Sequence, residues 1–450
     1  MAKKSLPDEP NKAWIQKRIK QARRDALLVR QKEVSVPDLA RCGREIARYG
    51  KKHWLLGALI DAFFKARKGK LKTFNEHAYE VNWYENLDKL ADVILSWIYK
   101  PSGSISFVIY DPMIREIFAA PFVDRIIHHF LYEMQAGWWD RRFIYDSYSC
   151  RNGRGTLFGV ERVQKMIRSA TKGMTEKAYI IKLDVKGYFM SLPREKLFEK
   201  VEWGLHKQFG EVDMTAELRW LLEVCLFLWR QVLMDDPVPK SHKRGNRRNW
   251  DDLPPEKSLY TRDPGLGIVI GNLTSQLVSN IYLDALDRFV KYELGYKYYG
   301  RYVDDFIIIV PEKDYARALR DVKRIEQFLK VELNLTLHKK KRFIQPADKG
   351  VNFLGAKIYP FCIYPSSRLQ AKFKRELYGY IYRGWNNEDT LTSYMGIMKN
   401  MDAENFVKDI FEKNGLDFAL YLESKSAKRR KYDEILQDLK KTRKKQRCIR

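Results

Sequence analysis

Gly300-Arg301-Tyr302-Val303-Asp304-Asp305-Phe306-Ile307-Ile308-Ile309-Val310 is the stretch on which the fold turns. Two adjacent aspartates stand between aromatic and β-branched runs. The pattern predicts strands at 296–302 and 306–310, joined by a turn at Val303-Asp304-Asp305 and therefore antiparallel. Ile307-Ile308-Ile309-Val310 is apolar at every position, which implies a strand covered on both faces. Asp is a turn former, and an isolated Asp-Asp pair is more often hairpin chemistry than a site. Here, however, two carboxylates at the mouth of a buried strand repel each other and need a cation nearby. A third acid, Asp184, ends the apolar stretch Tyr179-Ile180-Ile181-Lys182-Leu183, which also reads as a strand. Its plain alternative is a helix N-cap. Together the three carboxylates suit a pair of magnesium ions, because Mg2+ takes carboxylate oxygens, substrate phosphates and water. Two such ions about 3.5–4 Å apart activate an attacking hydroxyl and stabilise a departing pyrophosphate. Phosphoryl transfer asks mainly for positioning and charge neutralisation.

Outward from this centre, helical spacing is expected at about 84–100, 121–136, 215–234, 273–293 and 314–333. Phe107-Val108-Ile109-Tyr110 reads as a strand stopped by Asp111-Pro112, and further strands are expected near 342–345 and 353–359. The first 50 residues read as helical and basic, with Lys17, Arg18, Lys20, Arg23 and Arg24 on what is most simply a solvated face. Segment 235–265 is rich in Pro and cations with few apolar residues, so it is expected as an insertion or flexible arm. From about 367 the chain reads as helical and basic, ending in the Lys-Arg run at 440–445. Helices and short strands mix without a regular βαβ period, which argues for an α+β fold.

Composition narrows the partners. Lys and Arg number 84 against 57 Asp and Glu, a formal net charge of +27, so the surface attracts polyanions. Hydrophobic residues make up 45% of the chain, enough for a large core. No apolar run is long enough to span a bilayer and no apolar signal core follows the N-terminus, so no membrane partner is expected and nucleic acid is the better reading. Cys42, Cys150, Cys225, Cys362 and Cys448 show no metal-ligand spacing and read as reduced thiols, in keeping with a cytoplasmic protein.

Tyr302-Val303-Asp304-Asp305 after Gly300-Arg301 resembles the Y-x-D-D box of reverse transcriptases. Further boxes follow in the same order. Asp124-Arg125-Ile126-Ile127-His128-His129 and Ile144-Tyr145-Asp146-Ser147-Tyr148-Ser149-Cys150-Arg151-Asn152-Gly153-Arg154-Gly155-Thr156 look like the fingers motifs of bacterial reverse transcriptases. Asp184-Val185-Lys186-Gly187-Tyr188-Phe189 looks like the motif of the first metal-binding Asp. Ile270-Gly271-Asn272-Leu273-Thr274-Ser275-Gln276 resembles the nucleotide motif of diversity-generating retroelement enzymes. Leu337-His338-Lys339-Lys340-Lys341 and Asn352-Phe353-Leu354-Gly355 resemble the last palm motifs, and Ser393-Tyr394-Met395-Gly396 is a fainter likeness in the thumb. The match runs from about 105 to 360.

The resemblance implies a right-hand polymerase: an α+β fold with an antiparallel palm sheet, α-rich fingers and a helical thumb. It divides the chain into a basic helical N-terminal extension (1–100), fingers and part of the palm (101–265, with the basic insertion 235–265), the palm with its hairpin (266–365), and a basic thumb and tail (366–450). It implies that Asp184, Asp304 and Asp305 bind two Mg2+ ions, with Mn2+ as the alternative, helped by the Val185 carbonyl. Arg115 and Arg151 would bind the incoming triphosphate, as the guanidinium fork suits phosphate. Phe189 would be the gate against a ribose 2′-OH, its plain alternative being core packing. Ile270, Gly271 and Gln276 would face nucleotide and template, and Leu354 with Gly355 would form the primer grip. Lys340 would stand near the departing pyrophosphate, with Lys341 as its alternative. One departure stands out: where many reverse transcriptases carry Gln, this chain has Ile270, which implies relaxed fidelity. The implied partners are an RNA template, a DNA or RNA primer and deoxynucleoside triphosphates, with a noncoding RNA, an accessory protein or a second copy of the chain beside them. Anti-phage defence reverse transcriptases share the same palm and give the alternative biology. Outside the family, a catalytically silent RNA-binding protein fits the charge alone, and a membrane-surface protein is the third reading.

Overall fold

The computed structural model describes residues 12–28, 36–68, 74–111 and 113–416. Its strands are β1 (Ile105–Ile109), β2 (Arg115–Ala119), β3 (Ala178–Asp184), β4 (His242–Lys243) and β5 (Tyr298–Tyr302). They continue as β6 (Asp305–Pro311), β7 (Phe343–Pro346), β8 (Val351–Phe353), β9 (Ala356–Ile358) and β10 (Ile363–Pro365). The central sheet has the order β5-β6-β3-β7, antiparallel throughout.

β6 explains why this sheet sits in the middle of the molecule. Its five inner residues, Phe306 to Val310, are all buried. Successive side chains of a strand point to opposite faces. Phe306, Ile308 and Val310 accordingly join one apolar cluster, built with helices Phe122–Arg142, Leu273–Arg288 and Tyr315–Glu332. Ile307 and Ile309 join a second cluster, built with helix Thr156–Ala170, the β8-β9-β10 sheet and the C-terminal helices Ser367–Arg383, Glu388–Met398 and Glu404–Lys413. A run of four β-branched residues therefore holds two cores together. The result is an α+β fold, mostly helical, around an antiparallel central sheet.

Two regions differ from the sequence reading. Helices Leu39–Tyr49, Lys51–Arg67 and Trp83–Leu95 do more than present cations. Phe63 packs against Trp83 and Phe122 at ring separations of 5.4 and 5.7 Å, so these helices share the first core. Segment 235–265, expected as an insertion or flexible arm, is anchored. β4 pairs in parallel with β1, completing a β2-β1-β4 sheet. The buried Glu116 carboxylate accepts from Ser258 Oγ at 2.9 Å and Leu259 N at 2.7 Å. The Tyr260 ring stacks on Phe118 at 5.9 Å. The anchors are mostly polar, and a search for apolar periodicity passes over them. β2 and helices Thr156–Ala170 and Arg194–Phe209 were also not foreseen as elements. The expected 273–293 helix ends its α geometry at Arg288 and closes with a π-helical turn, Phe289–Glu293. Tyr380 is buried in the second core. The basic run 440–445 lies outside the described residues. No described helix is long and apolar enough to cross a membrane.

Candidate active site

Strand register brings the three carboxylates to one edge. In the antiparallel β3/β6 pair, Asp184 stands directly opposite Asp305. Cα atoms of such partners lie about 4.5–5.5 Å apart. One residue on, Val185 N donates to the Asp304 carbonyl at 3.2 Å. Residues 120 positions apart in the chain thus share one strand end. Asp184 is buried, while Asp304 and Asp305 are half-buried.

Their electrostatics reflect that crowding. Burial, reinforced by the negative charges of Asp184 and Asp305, pushes Asp304 up to about 7. Burial also raises Asp305, opposed by Lys182, whose ammonium lies 3.5 Å away. The chain brings one cation of its own to Asp184. The backbone at 336–338 runs beside 184–186, with Lys186 N donating to Thr336 O at 2.8 Å and His338 N to Asp184 O at 2.7 Å. The following helical turn, Lys339–Lys341, lays the Lys341 ammonium across both Asp184 oxygens at 3.1 and 2.9 Å. Lys341, the alternative to Lys340, is thus the lysine that reaches these carboxylates; Lys340 is exposed and has no ion pair among the described residues.

No three His, Cys, Asp or Glu side chains among the described residues are already drawn into a metal cage. The donor set nevertheless fits a hard divalent cation. An ammonium stands on one carboxylate, and burial beside two further acids makes Asp304 hold its proton to near neutrality. Asp184, Asp304 and Asp305 are the residues that fit. The Val185 backbone is fixed beside them by its bond to Asp304.

The expected nucleotide residues gather around β2 and the start of helix Leu273–Arg288. The Ile270 carbonyl accepts from Phe118 N at 3.0 Å, which ties this motif to the end of the strand that begins at Arg115. Gly271 is required there. Its φ is +129°, and a Cβ would stand 2.8 Å from the Phe118 carbonyl. Gln276 is exposed on the first turn of the helix. Phe189 is half-buried against the first core, and its carbonyl accepts from Ile268 N at 3.0 Å, which ties it to the backbone leading into the Ile270 motif. Arg151 is differently engaged. Its guanidinium bonds Asp140 at 2.6 Å and the Ile144 and Ser147 carbonyls at 2.7 and 3.0 Å, leaving its side chain only 5% exposed. In this conformation it braces the 140–147 chain rather than offering a free fork. Leu354 and Gly355 form the two-residue turn between β8 and β9, both with positive φ.

Sequence reasoning missed the support beneath the hairpin. Arg301 is fully buried, and its fork bonds both Asp287 oxygens at 2.7 Å. Tyr299 OH donates to the same carboxylate at 2.6 Å. The signal was present, because Asn280, Asp284 and Asp287 recur at three to four residues among the apolar positions of the helix, a polar stripe that is buried.

The family profile described as reverse transcriptase (RNA-dependent DNA polymerase) matches residues 115–358, more than half of the chain and all the carboxylates above. The chain belongs to the reverse transcriptase family. By that membership it is an RNA-directed DNA polymerase, a nucleotidyltransferase, and reverse transcriptases generally work with divalent metals. Among curated proteins none is found to match. This reverse transcriptase is similar in structure to telomerase from Candida albicans in complex with a fragment of telomeric RNA, at TM-score 0.39 and 13% identity, over 82% of this chain and 66% of that one. It is likewise similar to apo telomerase from Candida tropicalis, at TM-score 0.38 and 13% identity, over 96% of this chain and 80% of that one.

Proposed function

We propose that this reverse transcriptase copies an RNA template into DNA, with Asp184, Asp304 and Asp305 holding two Mg2+ ions at the edge of β3 and β6. The observation that carries the reading is the pairing of Asp184 with Asp305 beside an Asp304 whose proton is held to about pH 7. Bound there, the ions would supply the charge neutralisation that in-line phosphoryl transfer requires. The chain's own residues do the rest. Asp184 would be a metal ligand, and Lys341, whose ammonium bonds it here, would face the departing pyrophosphate. The Phe189 ring stands where a ribose 2′-OH would come and favours deoxynucleotides. Arg115, at the head of β2, has no side-chain hydrogen bond or ion pair among the described residues and would offer its guanidinium to the triphosphate. Fingers at 101–178 and parts of 190–265, the central sheet as palm and the C-terminal helices as thumb would grip the heteroduplex by its shape and backbone. Extension of a DNA primer on an RNA template with deoxynucleotides and Mg2+ tests this. Full-length product, lost on chelation, is expected, and a protein that binds the RNA but adds no nucleotide would leave only the silent RNA-binding reading.

For its biology we infer a bacterial diversity-generating retroelement. Ile270 supports this, since an apolar side chain at a nucleotide-facing motif donates no hydrogen bond to discriminate a base. Ile270→Gln is expected to lower misincorporation, most of all opposite adenine, and an unchanged error spectrum in sequenced cDNA counts against the inference. A defence-associated enzyme with a noncoding RNA partner is the second reading. The helices of 36–95 and the anchored segment 235–265 favour it, as structured additions to the polymerase that suit a dedicated RNA. Sequencing the nucleic acid that copurifies with the protein separates the two.

A further inference from the structure

Val303 carries the catalytic turn in a conformation that a β-branched residue avoids. Its φ is +55°, in the left-handed region, where Cβ crowding makes Val a rare occupant. Such strain persists only where the surroundings over-determine it. Here three contacts do so. Val303 N donates to Ser149 Oγ at 3.1 Å, the Val303 carbonyl accepts from Arg301 Nη1 at 3.0 Å, and the Asp304 carbonyl accepts from Val185 N at 3.2 Å. Two of these three holders are themselves fixed from below. Ser149 Oγ donates to Asn280 Oδ1 at 3.1 Å, and Asn280 Nδ2 returns a bond to the Ser149 carbonyl at 2.8 Å. Arg301 is locked by its buried pair with Asp287, and its own backbone is gripped at both ends, by the Asp146 carbonyl and by Tyr148 N, at 2.9 Å each.

We propose that Ser149 and the Arg301–Asp287 pair form a clasp that keeps Val303 left-handed, and that this conformation is what turns the Asp304 carboxylate toward Asp184. The inference rests on the reading of these carboxylates as the metal site. Ser149, Arg301 and Asp287 are positioning residues. They touch neither substrate nor metal and act through the peptide between Val303 and Asp304. If Val303 relaxed to the β region, that peptide would rotate, the Val185 bond would break and Asp304 would leave the edge of β3. The clasp also links the chain at 146–149 to the metal site, so strain on that segment is transmitted to the carboxylates.

The test is Mn2+ binding to the full-length protein, followed by the electron paramagnetic resonance signal of free Mn2+, without nucleic acid or nucleotide. Four proteins are compared: the parent, Ser149→Ala, Val303→Gly and the double variant, with thermal melting to check the fold. Ser149→Ala is expected to bind about tenfold more weakly, the change that loss of one buried hydrogen bond supports. Glycine takes positive φ without penalty, so Val303→Gly no longer needs the clasp. Adding Ser149→Ala to it should change binding by no more than about twofold, the usual scatter of uncoupled sites. A simple loss of packing would weaken both backgrounds equally. If Ser149→Ala does not fold, Ser149→Cys makes the same comparison, since sulfur is a weaker acceptor. A double variant as weak as Ser149→Ala, or a Ser149→Ala protein that binds like the parent, overturns the clasp while leaving the metal site standing. A parent that binds no Mn2+ overturns both.

Discussion

At the scale of single residues, Asp304 carries the clearest consequence. Its proton is held up to about 7 by burial and by Asp184 and Asp305, against 3.8 for a free side chain. Without divalent cations, the folded state keeps a proton between about pH 4 and pH 7 that the unfolded chain has released, so stability falls as pH rises through that window. Above it the full penalty of a buried, crowded carboxylate remains. Asp304→Asn removes that penalty. In chelator at pH 8 the variant is expected to melt above the parent, and near pH 4 the two should coincide. A variant that melts lower at pH 8 would show that Asp304 is not electrostatically frustrated. The three acids were legible in the sequence because carboxylates at the ends of apolar strands stand out. Lys341 over Lys340 was not, because a helical turn of three consecutive lysines decides which ammonium reaches back, and identity alone gives no preference. Arg151 was legible as a cation but not as a brace, because its partners, Asp140 and two carbonyls, come from the curl of the chain.

At the scale of elements, runs of aromatic and β-branched residues placed β3, β5 and β6 correctly, and Ile307 to Val310 announced a strand between two cores. Close approach between elements leaves a fainter mark. Gly300 in β5 lies where a Cβ would stand 2.2 Å from the Tyr148 hydroxyl. Gly300→Ala is therefore expected to destabilise the protein by about 1–3 kcal/mol, the usual cost of overpacking. Tyr148→Phe should recover part of that loss, and a double variant no more stable in denaturant than Gly300→Ala would contradict this account of the contact. Segment 235–265 is anchored where a flexible arm was one expectation, because its anchors are mostly polar and distant in the chain. Glu116→Ala leaves Ser258 Oγ and Leu259 N without their acceptor, at a cost of about 1–3 kcal/mol. Trypsin is expected to cut the exposed cations Lys243 to Arg248 faster in this variant, and equal cleavage rates would mean that the segment is held by other means.

At the scale of the whole molecule, one sheet joins two apolar cores, and a net charge of +27 surrounds them. That charge makes binding to single-stranded RNA depend on counterion release. The logarithm of affinity should fall linearly with the logarithm of salt, by about 0.7 for each phosphate neutralised. Affinity indifferent to salt would point to recognition by other forces. The charge was fully legible in the sequence, whereas the union of the N-terminal helices with the first core depended on aromatic contacts such as Phe63 with Phe122, across 59 positions of chain. The central claim is that carboxylates from two distant strands act as one metal site for nucleotide transfer. Single-turnover addition of one deoxynucleotide to a primer on RNA, measured for the parent, Asp184→Asn and Asp304→Asn with RNA affinity followed on the same preparations, tests it most directly. The account predicts that either substitution removes nucleotide addition while RNA binding is retained, and addition by either variant at the parent's rate would contradict it.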